Sequence, residues 1–111
     1  MDDVIVLINQ IGPLPFSVTF DARADGPVTF FLSGSAWTQT SNTEIGIGME
    51  LDGVPIGSAV IFANAAGCHM AVVPVFVRTK LTFGQHTLSL LPTNATTTTD
   101  LNDFFHVSLH L

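Results

Sequence analysis

The chain has 111 residues, and we expect a single domain over residues 1–111 because a second core would have too little material. Apolar residues make up 47% of it and charged residues only 11%, which excludes an intrinsically disordered chain. A net charge of −6 with three cationic residues excludes a nucleic-acid-binding surface, and the longest apolar stretches, Val4–Ile8 and Ala71–Val77, are too short to cross a membrane.

The first predicted elements are strands. Val4–Ile8 and Phe16–Phe20 are short β-branched or aromatic runs separated by the Gly-Pro-Leu-Pro segment 12–15. Since proline donates no ladder hydrogen bond, we expect these runs to form an edge pair or one bent strand. Pro27–Trp37 follows the turn signal Asp25-Gly26 and is predicted to be a third strand.

The strongest local signal is a hairpin in the middle of the chain. Two apolar runs, Glu44–Leu51 and Val54–Ala63, flank the dipeptide Asp52-Gly53. Asp-Gly between two such runs is typical of a type I′ turn, in which both central residues have positive φ. We therefore predict two paired strands here.

The C-terminal third predicts three more strands. His69–Leu81 leads into a turn near Phe83-Gly84 and returns as Gln85–Leu91, which predicts a second hairpin. After a Thr-rich loop, apolar and polar residues alternate through Asp103–Leu111, which is the period of a strand. About eight short strands and no predicted helix indicate an all-β fold, an antiparallel sandwich or barrel.

Several predicted strands are apolar on both faces, as in Thr29–Leu32, Ala71–Val77 and Phe104-Phe105. One face can pack in the core, and with no helix to cover the other we expect further copies of the chain to do so. The chain is therefore predicted to form a homo-oligomer. The candidate interface residues are Phe31, Phe76, Phe104, His106 and His110.

Two segments also carry a family resemblance. They are Asp25–Leu32, and Ile45–Ala59 with its Gly-rich strand, Asp-Gly turn and Val-Pro return. With Leu81–Leu90 and Phe105–Leu109, they resemble the C-terminal head domains of bacterial collagen-like and spore-surface proteins, which share the TNF/C1q-like jelly roll. The resemblance covers about residues 25–111. It implies a jelly-roll sandwich and a compact homotrimer that acts as a surface recognition head or a trimer-assembly domain.

The sequence leaves a second function open, a lectin-like carbohydrate-binding module. Trp37 is the only tryptophan, and the polar segment 38–42 follows it, with Gln39 and Asn42 as candidate hydrogen-bonding residues. Sugars bind proteins through an aromatic ring against their C–H faces and through amides and hydroxyls that meet their hydroxyl groups. The alternative is that Trp37 is a core or subunit-contact residue.

No metal, cofactor or catalytic residue is predicted. His106 and His110 lie about 13 Å apart along a strand, too far to bind one ion, although one of them copied around a threefold axis would give a three-imidazole site. Cys68 is expected to be a small buried hydrophobe that faces away from His69. Asp100 and Asp103 are expected to be solvated loop acids. The chain is thus predicted to be a binding or structural protein, not an enzyme.

The compartment stays open, with the cell surface, a secreted protein and a virion as the candidates. The acidic start, Met1-Asp2-Asp3, lacks the basic residues that open a secretory signal, so no leader is predicted. Asn94-Ala95-Thr96 would be a glycosylation acceptor only in a eukaryotic secretory route, and we interpret it as a polar loop tip.

Overall fold

The computed structural model describes residues 4–111, and its regular elements are all β-strands. Residues 1–3, on which the expectation about a leader rests, lie outside the described part. Within that part, no helix is long and apolar enough to span a bilayer. The strands are β1 (Val4–Ile11), β2 (Phe16–Ala22), β3 (Gly26–Ala36), β4 (Thr43–Leu51), β5 (Val54–Ala63), β6 (Met70–Ala71), β7 (Val75–Leu81), β8 (Gly84–Pro92) and β9 (Phe104–His110).

These strands form two antiparallel sheets. In the five-stranded sheet the order is β1-β9-β3, and both β6 and β7 pair with the far side of β3. The four-stranded sheet has the order β2-β8-β4-β5. The two sheets pack face to face as a jelly-roll sandwich, which confirms the predicted fold class.

The core lies between the sheets and follows the two-residue period of the strands. In β3, Phe30 and Leu32 are fully buried, whereas Phe31 between them lies on the opposite face. In β9, Phe105 and Val107 are fully buried and pack in the same cluster as Leu88 and Leu90 of β8. The apolar residues that β3 and β9 place on their other face are therefore outside this core.

The Asp-Gly hairpin is confirmed. β4 and β5 pair from Thr43 opposite Ala63 to Leu51 opposite Val54. At the turn, Asp52 has a φ of 52° and Gly53 a φ of 82°. Both central residues are thus in the left-handed region that a type I′ turn requires.

The expectation of a paired or continuous first element is wrong. β1 pairs with β9 in one sheet, and β2 pairs with β8 in the other. The Gly-Pro-Leu-Pro segment between them crosses from sheet to sheet, where missing ladder donors cost nothing.

The predicted hairpin of His69–Leu81 with Gln85–Leu91 is also wrong, because β7 pairs with β3 and β8 pairs with β2 and β4 in the other sheet. The first of these runs is moreover broken at residues 72–74. Pro74 lacks an amide hydrogen, and the two residues before it donate elsewhere. Val72 N donates to Gly34 O at 2.9 Å, and Val73 N donates to Val60 O of the opposite sheet at 3.1 Å. The segment thereby ties the two sheets together at their edge.

The two ends of the sandwich differ. The loop end carries the longer connections, residues 12–15, 37–42, 64–69 and 93–103. The turn end carries the short ones, residues 23–25, 52–53 and 82–83. Residues that are far apart in sequence therefore lie close together at the loop end.

Candidate functional site

Backbone hydrogen bonds hold the connections of the loop end together. Trp37 N donates to Thr98 O at 2.9 Å, and Thr98 N donates back to Trp37 O at 2.8 Å. Gly67 N donates to Thr38 O at 2.8 Å, which joins a third connection to the first two. These bonds make a fixed surface out of separate loops.

Trp37 lies at the centre of this surface. Its side chain is partly buried, and its indole ring lies 5.7 Å from the imidazole of His69, centroid to centroid, with the planes tilted by 39°. The indole Nε1 is buried and has no hydrogen-bond acceptor among the described residues. A buried N–H without an acceptor is costly, and because this atom has almost no contact with solvent, a ligand oxygen can reach it only if the ring moves.

All of the polar residues that follow Trp37 in this connection are exposed except Thr38. Thr38 is fully buried, and its hydroxyl accepts a hydrogen bond from Thr40 N at 3.0 Å and thereby shapes the loop. Gln39 and Asn42 are both exposed, and Asn42 has a positive φ of 57°. The two predicted amides are therefore free to reach a ligand in solvent.

Asp103 is the buried anchor of the loop end. Its side chain is fully buried. Oδ1 accepts hydrogen bonds from the Ser35 hydroxyl at 2.8 Å and from His69 Nδ1 at 2.8 Å, and Oδ2 accepts one from Asp100 N at 2.9 Å. Three donors on one buried carboxylate fix the relative positions of β3, the β5–β6 connection and the β8–β9 connection.

His69 is held between two carboxylates. Its Nδ1 faces Asp103, and its Nε2 lies 3.8 Å from Asp100 Oδ2. The hydrogen bond to Asp103 raises the pKa of His69 above its usual value, partial burial opposes this shift, and the charges of Asp103 and Asp100 add to it. The His69 side chain is 33% exposed and that of Asp100 41%, so a ligand has access to both.

The same residues do not form a nucleophilic triad. In such a triad the imidazole lies between the hydroxyl and the carboxylate, so that it can accept the hydroxyl proton. Here the Asp103 carboxylate lies between Ser35 and His69 and binds both. The Ser35 hydroxyl therefore donates to a carboxylate and not to the imidazole.

Two expectations about this region are wrong. Asp103 is not a solvated loop acid but the most deeply embedded carboxylate of the described residues, and Cys68, expected to be buried, is exposed. Sequence reasoning missed the cluster of His69, Asp100 and Asp103 because His69 lies in a different loop, 31 and 34 positions before the two aspartates. The one usable signal was an aspartate directly before the alternating pattern of the last strand.

The structure gathers all the predicted interface residues on one surface. Phe31 of β3 lies opposite Phe76 of β7 on one side and opposite Ser108 of β9 on the other. Along β9, every second residue shares the face of Ser108. The outer face of the five-stranded sheet thus contains the five candidates, Phe31, Phe76, Phe104, His106 and His110.

This outer face is aromatic and exposed. The rings of Phe31 and Phe76 are 5.0 Å apart, and those of Phe76 and His110 are 6.1 Å apart. Phe76 is 67% exposed and Phe104 is 47% exposed. Three apolar residues of β1 extend the same face, since they pair with the outward residues of β9; they are Val4, Val6 and Ile11.

The strands of this sheet carry no Asp or Glu, although the chain has nine acidic residues. They do carry Arg78 and Lys80, two of the three cationic residues. A contact made on the outer face would therefore bury apolar side chains without burying a carboxylate.

The turn end has its own histidine and carboxylate. His86 Nδ1 lies 2.6 Å from Asp52 Oδ2, and His86 Nε2 lies 2.7 Å from Thr82 O. The hydrogen bonds to the Thr82 carbonyl and to Asp52 raise the pKa of His86, and the bond from His86 lowers the pKa of Asp52. Since both ring nitrogens face acceptors, the imidazolium is the favoured form.

A cavity of about 620 Å³ also lies at the turn end. Its wall is mostly apolar and comes from the start of β1, the β2–β3 connection and the end of β9. Its described lining also includes the charged side chains of Asp21, Arg23 and Asp25.

No protein-family model and no curated protein sequence matches the chain. Solved structures match it. A chain of the tripod from the baseplate of bacteriophage Tuc2009 superimposes with a TM-score of 0.59 at 18% identity, over 96% of this chain and 62% of that one. The C-terminal domain of EclA, a sugar-binding protein, gives a TM-score of 0.53 at 17% identity, over 96% and 76%.

A family 35 carbohydrate-binding module from Clostridium thermocellum gives a TM-score of 0.51 at 7% identity, over 97% of this chain and 88% of that one. The chain can also match a small part of a larger protein, since it spans 12% of the latent PorU chain of Porphyromonas gingivalis. These likenesses show the fold alone. They establish a jelly-roll sandwich of the kind found in carbohydrate-binding modules, and the TNF/C1q-like family expected from the sequence is not specifically supported.

Proposed function

We propose that the chain is a carbohydrate-binding module and that its loop end binds a glycan against Trp37. The observation that carries the proposal is the position of this single tryptophan. It lies partly exposed where three connections meet, next to His69 and followed by exposed amides. The sugar-binding and carbohydrate-binding proteins among the structural neighbours support the same reading.

The residues of the loop end fit the chemistry of a sugar. An indole ring packs against the apolar C–H face of a pyranose. Gln39 and Asn42 can each donate to and accept from hydroxyl groups, and the Asp100 carboxylate can accept from hydroxyls. Each group alone contributes modestly, and together they give orientation and specificity.

The charge of the loop end favours a neutral glycan. The four connections that form it contain no Lys or Arg, and the described cluster includes Asp100 and Asp103. A uronate or sulfated sugar would meet carboxylates without a guanidinium or ammonium partner. We therefore expect neutral oligosaccharides to bind in preference to acidic ones.

A glycan array followed by calorimetry with the best neutral oligosaccharide tests this proposal. We expect Trp37→Ala to weaken binding by more than about tenfold, because the ring supplies the apolar contact. Gln39→Ala is expected to weaken it by about fivefold, the equivalent of one net hydrogen bond. Gln39 is exposed, so this variant keeps the fold if Trp37→Ala should not.

The matched control is Phe83→Ala, which removes an aromatic ring that is 73% exposed at the turn end. It should leave glycan affinity unchanged. An array without saturable binding, or equal losses for Phe83→Ala and Trp37→Ala, would contradict the proposal.

We propose a second function for the other exposed surface: self-association into a homo-oligomeric, trimeric head. The observation that favours it is the carboxylate-free aromatic face of the five-stranded sheet, where Phe76 is 67% exposed. A neighbour from a phage baseplate tripod supports an assembling role, and no catalytic step is part of either proposal. Such a head would serve at a cell or virion surface.

Light scattering on dilute protein tests the second proposal. We expect a species near three times the chain mass of 11.8 kDa. Phe76→Ser should shift the mass to that of the monomer, since it removes the most exposed aromatic ring of the face. Phe83→Ser at the turn end should leave the mass unchanged. A wild-type monomer, or equal effects of the two variants, would contradict self-association through this face.

A further inference from the structure

We infer that His69 Nε2 and Asp100 bind a divalent transition-metal ion of the zinc class, with Asp103 orienting the imidazole from behind. The inference does not depend on glycan binding, because the two ligand groups and their support are properties of the loop end itself. It goes beyond sugar recognition by giving the loop end a second kind of ligand.

The first argument is the distance between the two ligand atoms. His69 Nε2 and Asp100 Oδ2 are 3.8 Å apart. Zinc bonds to imidazole and carboxylate are about 2.0–2.2 Å long, which places two ligand atoms of a tetrahedral site about 3.3 Å apart. A closure of about 0.5 Å by two side chains that are both partly exposed would be sufficient.

The second argument is the state of the imidazole. A histidine that binds a metal through one nitrogen almost always donates its other N–H to a carboxylate or carbonyl. His69 Nδ1 does so with Asp103 Oδ1 at 2.8 Å. This bond keeps the proton on Nδ1 and leaves the lone pair of the neutral ring on Nε2, directed to the side where Asp100 lies.

The third argument is that hydrogen bonds from other residues hold the Asp103 carboxylate in place. This carboxylate is fully buried, and the Ser35 hydroxyl and the amide of Asp100 donate to it. The bond from the Asp100 amide also ties the two aspartates to each other. The orienting group is therefore fixed before any ion binds, and the second ligand is attached to it.

The fourth argument is the unpaired donor next to the cluster. The Trp37 ring is 5.7 Å from the imidazole of His69, and its buried Nε1 has no acceptor among the described residues. An ion held by two protein ligands keeps water or other oxygen ligands in its open positions. Because this N–H is buried, an ion-bound oxygen could accept a hydrogen bond from it only if the indole ring turns toward the cluster.

The ligand types decide the class of ion. Calcium and magnesium prefer sets made of oxygen ligands, and an imidazole with a carboxylate suits zinc, nickel or copper. His69, Asp100 and Asp103 are also the one group of three or more such residues that the described part of the chain brings within 4.8 Å of one another.

Calorimetry with zinc alone, on the full chain and without sugar, tests the site. We expect saturable binding of one ion per chain. His69→Ala should abolish it, and Asp100→Asn should weaken it by at least about tenfold. Asp103→Asn should weaken it by about 10–100-fold through the orientation of the imidazole, if this variant keeps its fold.

The matched control is Asp21→Asn, which removes an exposed carboxylate from β2 at the turn end and should leave the zinc affinity unchanged. The nitrogen signals of His69 supply an independent readout, with Nε2 shifting on addition of zinc and Nδ1 keeping its proton. No saturable binding, an affinity unchanged in His69→Ala, or an equal loss in Asp21→Asn would overturn the inference. Zinc binding without any glycan binding would leave it intact.

Discussion

The two ends of the sandwich use the same pair of side chains in opposite ways. At the loop end the His69 side chain is 33% exposed and its partner Asp103 is fully buried. At the turn end the His86 side chain is 9% exposed and its partner Asp52 is 47% exposed. One end buries the carboxylate and the other buries the imidazole.

This difference means that the loop end can bind a ligand through its histidine, whereas the histidine of the turn end only stabilises the fold. His86 has both nitrogens directed to protein acceptors, Asp52 and Thr82, and so has no atom left for a ligand. His69 has one nitrogen fixed by Asp103 and the other directed toward solvent and Asp100. Whether each histidine can bind a ligand therefore depends on how many of its ring nitrogens already contact protein acceptors.

The largest expected effect on stability is that of the substitution Asp103→Ala. It removes the acceptor of three donors, those of Ser35, His69 and the Asp100 amide, in the buried part of the loop end. We expect the free energy of unfolding to fall by about 3–5 kcal/mol, as for other buried charged partners. Urea unfolding of the wild type and of Asp103→Ala measures this loss.

Asp100→Ala is the control for this comparison, because its side chain is 41% exposed. Its cost should stay below about 1 kcal/mol. Equal costs for the two aspartates would show that Asp103 does not anchor the loops.

The next effect on stability is that of His86→Ala, which leaves Asp52 Oδ2 and the Thr82 carbonyl without the donor that His86 supplies. We expect a loss of about 2 kcal/mol at pH 6, measured by urea unfolding. His110→Ala serves as the control, since its imidazole has only the Ser108 hydroxyl as a side-chain partner. A cost no greater than that control would contradict the role given to His86.

The same histidine predicts a pH dependence. Its pKa in the folded chain is raised above the ordinary value of 6.5. Its contribution to stability is therefore fully present below about pH 6.5 and is lost as the pH rises through the raised folded pKa. Unfolding midpoints between about pH 6 and about pH 9 should fall more steeply for the wild type than for His86→Ala. Parallel curves would contradict this prediction.

The smallest effect is expected at the tip of the β4–β5 hairpin. Gly53 has a φ of 82°, and Gly53→Ala would place a Cβ in the left-handed region. Nothing lies within 4 Å of that Cβ, so the cost is backbone strain alone, about 1 kcal/mol. A thermal or urea titration that shows no loss would contradict the turn type.

The parts of the fold that depend on local signals could be predicted from the sequence. The Asp52-Gly53 turn and the alternation in β9 each depend on residues that are adjacent or two apart. The apolar residues on both faces of β3 likewise indicated that Phe31 lies outside the core. Strand pairing between distant segments had no such signal, so β1 and β2 were assigned to each other although they belong to different sheets.

The candidate site was only half predictable for the same reason. Trp37, Gln39 and Asn42 stand out in one short segment of the chain. His69 and Asp103 are 34 positions apart, and only the packing of two loops on β3 brings them within 2.8 Å. The burial of Asp103 depends on donors from three elements, none of which the local sequence identifies.

The most direct test of the proposed function is a nuclear magnetic resonance titration with the highest-affinity neutral oligosaccharide from the array. We predict saturable shifts at the Trp37 indole N–H, the Gln39 side-chain amide and the His69 imidazole, and unshifted signals at Asp52 and His86. Saturable shifts at the turn end or on the outer face, with the Trp37 indole unmoved, would contradict glycan binding at the loop end.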